Sequence, residues 1–275
     1  MNNSLEFTGR RETGEIYRDS LRFILTEWKP LTRLIALYVV PFIVVYAGAQ
    51  VFMQIKLTGL AESIREMEPD RLMREAGPFY KNLLITLGFY IFVQSLFMGA
   101  VYSYITGYVN RGRNEFSVAH VVPSLSSNAL TALGASLAVV LVSVWGLFLL
   151  IIPGIILANS LSLTPFIAIH EKKGIYPALL RSFTLTGKAW WNTLVLNLMA
   201  ILIPWGINFL ITLPVSTLPA LTEAASANPV IPAALETWQW IYVGAALAIS
   251  SLFSIFGYLF LAFQYFNLKS RMEEP

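Results

Sequence analysis

The 275-residue chain is 56% hydrophobic and only 13% charged, with a net charge of +3. Soluble domains carry roughly 25% charged residues, so this composition belongs to a membrane protein, and the small net charge implies no nucleic-acid partner. The lack of cysteine excludes disulfides, thiolate catalysis and thiolate-ligated metals.

The first thirty residues are polar and charged, with no apolar core followed by a small-residue cleavage site, so no cleaved signal peptide is expected. Residues 12–29 form an amphipathic helix. Tyr17, Leu21, Ile24 and Trp28 share one face, and Glu15, Arg18, Asp19, Arg22, Thr26 and Lys29 line the other. Such a helix suits the membrane interface. Six segments approach the ~20 apolar residues needed to span a bilayer: 31–55, 79–109, 128–152, 155–169, 192–213 and 238–268. The loop 61–74 has Glu and Arg at helical spacing, which fits a short solvated helix. The third and fourth spans are separated by Pro153-Gly154 and read as a tight hairpin, with a re-entrant pair as the alternative. Residues 174–191 form a second interfacial helix, with Tyr176, Leu179, Leu180, Phe183 and Trp190 on its apolar face. The loop 214–232 is rich in Pro, Ala, Ser and Thr and reads as irregular. Runs such as Ala138-Val139-Val140-Leu141-Val142 do not alternate, so strands are excluded. The expected fold is an all-α integral membrane bundle of six helices in a single membrane domain.

Basic residues set the orientation. Arg10, Arg11, Arg18, Arg22, Lys29 and Arg33 precede the first span, Arg111 and Arg113 follow the second, and Lys172, Lys173, Arg181 and Lys188 follow the fourth. Lys269 and Arg271 lie in the tail, so both termini are expected in the cytoplasm. The two interfacial helices also resemble each other. Ile16-Tyr17, Leu21-Arg22, Phe23, Leu25-Thr26 and Trp28 align with Ile175-Tyr176, Leu180-Arg181, Phe183, Leu185-Thr186 and Trp190 if one gap is placed after Arg22. With 116–127 before the middle hairpin, the chain reads as three repeats of an interfacial helix plus a transmembrane hairpin.

Pro153-Gly154-Ile155, Pro165, His170-Glu171, Gly174, Ala178-Leu179, Arg181-Ser182, Leu185, Gly187 and Trp190-Trp191 make up a pattern of about forty residues. It resembles the membrane domain fused to some glycerophosphodiester phosphodiesterases, and the related YciC-like bacterial membrane proteins. The resemblance implies a six-helix fold in a bacterial inner membrane. It implies no phosphodiesterase activity, which belongs to a separate soluble domain. The amino-terminal half also resembles membrane proteins of Bacteroidetes whose genes accompany MoxR-type ATPases and von Willebrand-type domain proteins, which implies an accessory membrane subunit.

Catalysis needs a nucleophile, base or metal in mutual reach, and the chain has only His120 and His170 as histidines, both at expected interfaces. No catalytic residue, metal ligand or cofactor site is expected. No Asp, Glu, Lys or Arg lies in the middle of an expected span, which argues against ion coupling. Asn159, Ser160, Ser162 and Thr164, beside Pro165, are the candidate polar cavity, where Pro165 frees a backbone carbonyl. Most such residues instead bridge helices. Glu171 and Arg181 are a candidate structural ion pair across the turn at Gly174. Trp28, Arg22, Arg181, Lys188, Trp190 and Trp191 are the candidate interfacial lipid contacts. The expected role is a non-catalytic scaffold or accessory subunit of a membrane complex, with lipid and other membrane proteins as partners. The alternative is a transporter or lipid-handling protein using the polar centre of the fourth span.

Overall fold

The computed structural model describes residues 7, 9–65, 69–112, 117–225 and 237–273. Among these the chain is helical, with no strand. The helices are α1 (Thr13–Thr26), α2 (Trp28–Tyr38), α3 (Val40–Arg65), α4 (Pro69–Arg111), α5 (Val122–Leu149), α6 (Ile151–Ser160), α7 (Thr164–His170), α8 (Ile175–Gly187), α9 (Trp190–Ala225), α10 (Thr237–Leu252) and α11 (Ser254–Glu273); a 3-10 turn covers Val118–His120. Six helical stretches are long and apolar enough to cross a membrane: Val40–Thr58, Ala76–Arg111, Val122–Phe148, Ile151–His170, Trp190–Val215 and Thr237–Glu273. The protein is therefore a multi-pass helical membrane protein. Of the apolar 18-residue window in Trp190–Val215 only 6% is buried.

Several boundaries differ from those expected, each for a local reason. The expected span 31–55 is interrupted at Val39, and α3 restarts there. Pro41 sits in the first turn of α3, where a missing N–H costs least, so it starts a helix rather than continuing one. The second span begins within a longer helix that starts at Pro69, and α3 runs to Arg65, so helix fills most of 61–74; Glu66, Met67 and Glu68 lie outside the described residues. The expected irregular loop 214–232 is helical to Ala225, and its remainder lies outside the described residues. The turn between α5 and α6 is not at Pro153-Gly154 but at Leu150, which is extended (φ −168°, ψ 153°). Pro153 lies in the first turn of α6. Gly154 serves a close approach instead: a Cβ there would fall 2.4 Å from Leu147 Cγ. The fourth stretch is broken between α6 and α7, where Pro165 occupies the first turn of α7. Among the described residues of 116–127 only the 3-10 turn precedes α5, so the middle repeat has no separate interfacial helix there.

By its internal packing the chain divides into two compact units. Among the described residues the first unit holds those up to Val39, Gln94–Ile203 and those from Phe253; the second holds Val40–Val93 and Pro204–Leu252. The first unit has an aromatic core. Phe7, 4% exposed, stacks on Phe263 at 4.5 Å and meets Phe23, Tyr108 and Phe266 edge-on. Phe166 contacts Tyr102, Tyr265 and Phe266. In the second unit α3 packs on α10, and Tyr46–Tyr90 and Phe42–Phe92 pair at 5.3 and 5.7 Å.

Helix α1 has three faces rather than two. Ile16, Ser20 and Phe23 are buried in the first unit, while Tyr17 and Leu25 are exposed apolar residues and Arg18 and Arg22 are exposed cations. Helix α8 repeats the arrangement, with Ala178, Ser182, Leu185 and Thr186 buried and Tyr176, Leu180 and Phe183 exposed. The gapped alignment pairs buried Phe23 with exposed Phe183. An ungapped one pairs Phe23 with Ser182 and Glu27 with Thr186, all buried. Burial recurs only in part, since buried Ile16 and Ser20 pair with half-buried Ile175 and Leu179, and side-chain identity does not recur in phase with it.

Candidate functional site

The chemistry-bearing groups of the first unit gather where α7, α8 and α11 meet. Helix α7 ends at His170, and Lys172 adopts a left-handed conformation (φ 53°) that turns the chain sharply into α8. This is the usual geometry just past a helix end, although glycine generally fills it. The turn brings Glu171 to α8, and Arg181 Nε donates to Glu171 Oε1 at 3.0 Å. Two further donors converge on the same carboxylate. Tyr265 Oη donates to Oε1 at 2.7 Å, and Lys173 Nζ lies 2.6 Å from Oε2. Burial raises the pKa of Glu171, but the bonds from Lys173, Tyr265 and Arg181 outweigh it and bring the carboxyl down to about 2. Burial lowers the pKa of Arg181, but its bond to Glu171 more than reverses this and shifts the guanidinium upward. Both are ionised at neutral pH.

His170 lies beside this cluster but does not join it. Its ring stacks on Phe166 at 5.2 Å, is edged by Tyr265 and Phe266, and its Nδ1 lies 3.2 Å from Thr106 Oγ1. His120 is engaged locally: the Ser117 backbone N–H donates to its Nδ1 at 3.2 Å. Among the described residues no three His, Asp or Glu side chains converge as metal ligands would.

The four candidate cavity residues make bonds that leave little to line a cavity. Asn159 is 3% exposed. Its Nδ2 donates to the Trp190 carbonyl at 3.0 Å, and its Oδ1 accepts from Asn197 Nδ2 at 2.8 Å. The Ser160 carbonyl accepts from Ser182 Oγ at 2.8 Å. Ser162 Oγ donates to the Asn159 carbonyl at 2.9 Å. Thr164 Oγ1 donates at 2.7 Å to the Leu161 carbonyl, which is the one that Pro165 deprives of its helical donor.

The candidate lipid contacts divide into two groups. Trp28 and Trp191 are 53% and 73% exposed, and Arg22 and Lys188 are exposed as well. Lys29 Nζ lies 5.7 Å from the centre of the Trp28 ring. Arg181 is held by Glu171, and Trp190 is half-buried with its Nε1 enclosed and without a hydrogen bond. These two therefore face the protein.

The sequence offers Gln264 and Asn267 only as amides of the kind that bridge helices, and the structure supplies their partners. Gln264 Nε2 donates to Thr193 Oγ1 at 3.0 Å, and its Oε1 accepts from Asn267 Nδ2 at 3.1 Å. Asn267 Oδ1 accepts both the Arg11 backbone N–H (2.9 Å) and Arg271 Nε (3.2 Å). Arg271 Nη2 donates to the Arg11 carbonyl at 3.1 Å, and Gly9 N–H to Ser270 Oγ at 3.1 Å. Arg11 Nε donates to Asp19 Oδ2 on α1 at 2.9 Å. The segment before α1 is thus tied to the last turns of α11. Glu27, 7% exposed between α1 and α2, accepts from Tyr104 Oη at 2.8 Å. Amides and carboxylates of this kind have no sequence signal, because their partners lie on helices far away in the chain. No family model, no curated protein and no solved structure matches the chain, so its chemistry is read from this geometry alone.

Proposed function

We propose that the protein is a non-catalytic scaffold or accessory subunit of a membrane complex in a bacterial inner membrane. The observation that carries this reading is the closure of the polar network. Asn159, Asn197, Gln264 and Glu171 direct polar atoms at other helices of the first unit, and Asn267 joins Gln264 to the segment before α1. Bonds of this kind hold helices together and leave a reactant nothing to engage. A solute pathway past α6 would require Asn159 to give up both of its partners. The resemblance of 153–191 to glycerophosphodiester phosphodiesterase membrane domains and YciC-like proteins supports the location. The excess of Lys and Arg near the ends of the chain supports cytoplasmic termini. The bonds joining Gly9 and Arg11 to α11 agree with this, since they keep both ends on one side. Helices α1 and α8 lie in the interface, with lipid contacted by Arg22 on α1 and by Trp28, Lys188 and Trp191 just beyond the two helices.

Purification of the full chain from native membranes after in-cell crosslinking tests the reading, with stoichiometric protein partners expected. A lone chain would overturn the subunit assignment. Solute flux in proteoliposomes that is abolished by Asn159→Leu would replace it with the transporter alternative. Single cysteines test the orientation cleanly, because the chain has none of its own. Thr184→Cys should label from the cytoplasm and Thr217→Cys only from outside.

A further inference from the structure

The second unit contains a cavity of about 400 Å³ between α3 and α4, lined by Phe52, Lys56, Leu60, Arg74, Pro78, Phe79 and Asn82. We infer that this cavity holds the headgroup of an anionic phospholipid in the leaflet opposite the termini.

Four observations support this. First, the volume is in the range of small-molecule sites, roughly 300–1,000 Å³. Second, the two charged residues lining it are both cations, and among the described residues neither Lys56 nor Arg74 has an ion-pair partner. Lys56 has only the face of Phe52, 5.7 Å away. Two unpaired cations beside one cavity, with the Asn82 amide as a further donor, match a phosphate with its several acceptor oxygens. Third, the remaining wall is apolar: Phe52, Leu60, Pro78 and Phe79. A soluble anion would gain nothing from it, whereas the first carbons of an acyl chain would. Fourth, the cavity lies where headgroups are found. Lys56 falls in the last turn of the apolar stretch Val40–Thr58, and Arg74 is two residues before the stretch Ala76–Arg111. Both cations therefore reach the level of the phosphates while the rings lie deeper, as in other interfacial anchors. This inference rests on the chain spanning the membrane and is independent of the scaffold reading.

The test is a lipid titration of the purified full-length chain, read by native mass spectrometry. Dioleoyl phosphatidylglycerol is compared with dioleoyl phosphatidylcholine and with glycerol 3-phosphate as a competitor. The expected result is preferential binding of phosphatidylglycerol, weakened about threefold by Lys56→Gln or Arg74→Gln and at least tenfold by both together. Arg18→Gln with Lys172→Gln, which removes two exposed cations of the first unit that are not assigned to lipid contact, should leave this binding unchanged. Equal loss in that control pair would reduce the effect to general charge attraction and overturn the inference. So would unchanged affinity in the double variant, or displacement of the lipid by glycerol 3-phosphate at equal concentration. Circular dichroism of each variant separates lost binding from lost folding.

Discussion

In the first unit one carboxylate gathers three donors, and Asn267 links Gln264 to residues from both ends of the chain. The second unit relies on ring pairs and on isolated bonds, such as Tyr242 Oη to the Ile211 carbonyl at 2.6 Å and Asn208 Nδ2 to Ser250 Oγ at 3.3 Å. The contrast shows where stability is vulnerable. A single amide or hydroxyl bridge in a membrane protein contributes only ~0.6 kcal/mol on average. An ionised group held by several partners is different, because removing it leaves the others without theirs. Substitutions of equal size should therefore cost more in the first unit.

The largest effect is expected at Glu171. Glu171→Gln should lower the unfolding free energy by about 2–3 kcal/mol at neutral pH, the scale of bonds to a charged group, seen as a fall in Tm in detergent. Lys173 contributes less to this than its 2.6 Å distance suggests, since its side chain is 45% exposed and solvent screens it. The folded pKa of about 2 lies below the ordinary value of 4.5, so the carboxylate stabilises the fold fully above pH 4.5 and progressively less as pH falls towards 2. The gap in Tm between wild type and variant should close over that window. A gap independent of pH would assign the effect to packing. Exchanging the charges, Glu171→Arg with Arg181→Glu, should restore only part of the loss, because the new cation meets Lys173 and Tyr265 loses its acceptor.

Next come the close helix contacts. Gly154→Ala should cost about 1–3 kcal/mol, as overpacking does, since the added Cβ meets Leu147 at 2.4 Å. Gly244→Ala in the second unit meets only the Val51 Cγ2 methyl, at 3.2 Å. It should be near neutral, helped by the ~1 kcal/mol advantage of alanine within a helix. Equal losses would mean that the two units pack with the same tightness. The smallest contrast is between two asparagines. Asn159→Leu removes two bonds and should cost ~1–2 kcal/mol, while Asn208→Leu removes one and should cost ~0.6 kcal/mol. Parallel unfolding measurements on the two variants would test whether the linked amide matters more than the isolated one.

The helical class and the six spanning stretches were legible because long apolar runs without alternation allow no other backbone arrangement in lipid. The breaks at Val39 and before Thr164 were harder to read, because hydropathy continues across them and only Pro41 and Pro165 mark the place. Gly154 was misread for a related reason. A Pro-Gly pair is a common turn signal, but here the glycine makes room for Leu147. Part of the site could be read from local spacing, since Glu171 and Arg181 are ten residues apart across a short turn. Tyr265 is 94 residues from Glu171, and no periodicity reports such a contact. The protein partners of Arg181 and Trp190 were hidden for the same reason: an amphipathic pattern distinguishes apolar from polar but not lipid from protein.

The bond from the Arg11 N–H to Asn267 joins residues 256 positions apart. While the ribosome still encloses the end of α11, that bond cannot exist, nor can the stack of Phe7 on Phe263. During synthesis Phe7 must therefore stay undocked until α11 has been inserted. Docking of the amino-terminal segment then marks completion of the first unit. A protease that cuts near Arg10 or Arg11 would distinguish a nascent chain from a finished one.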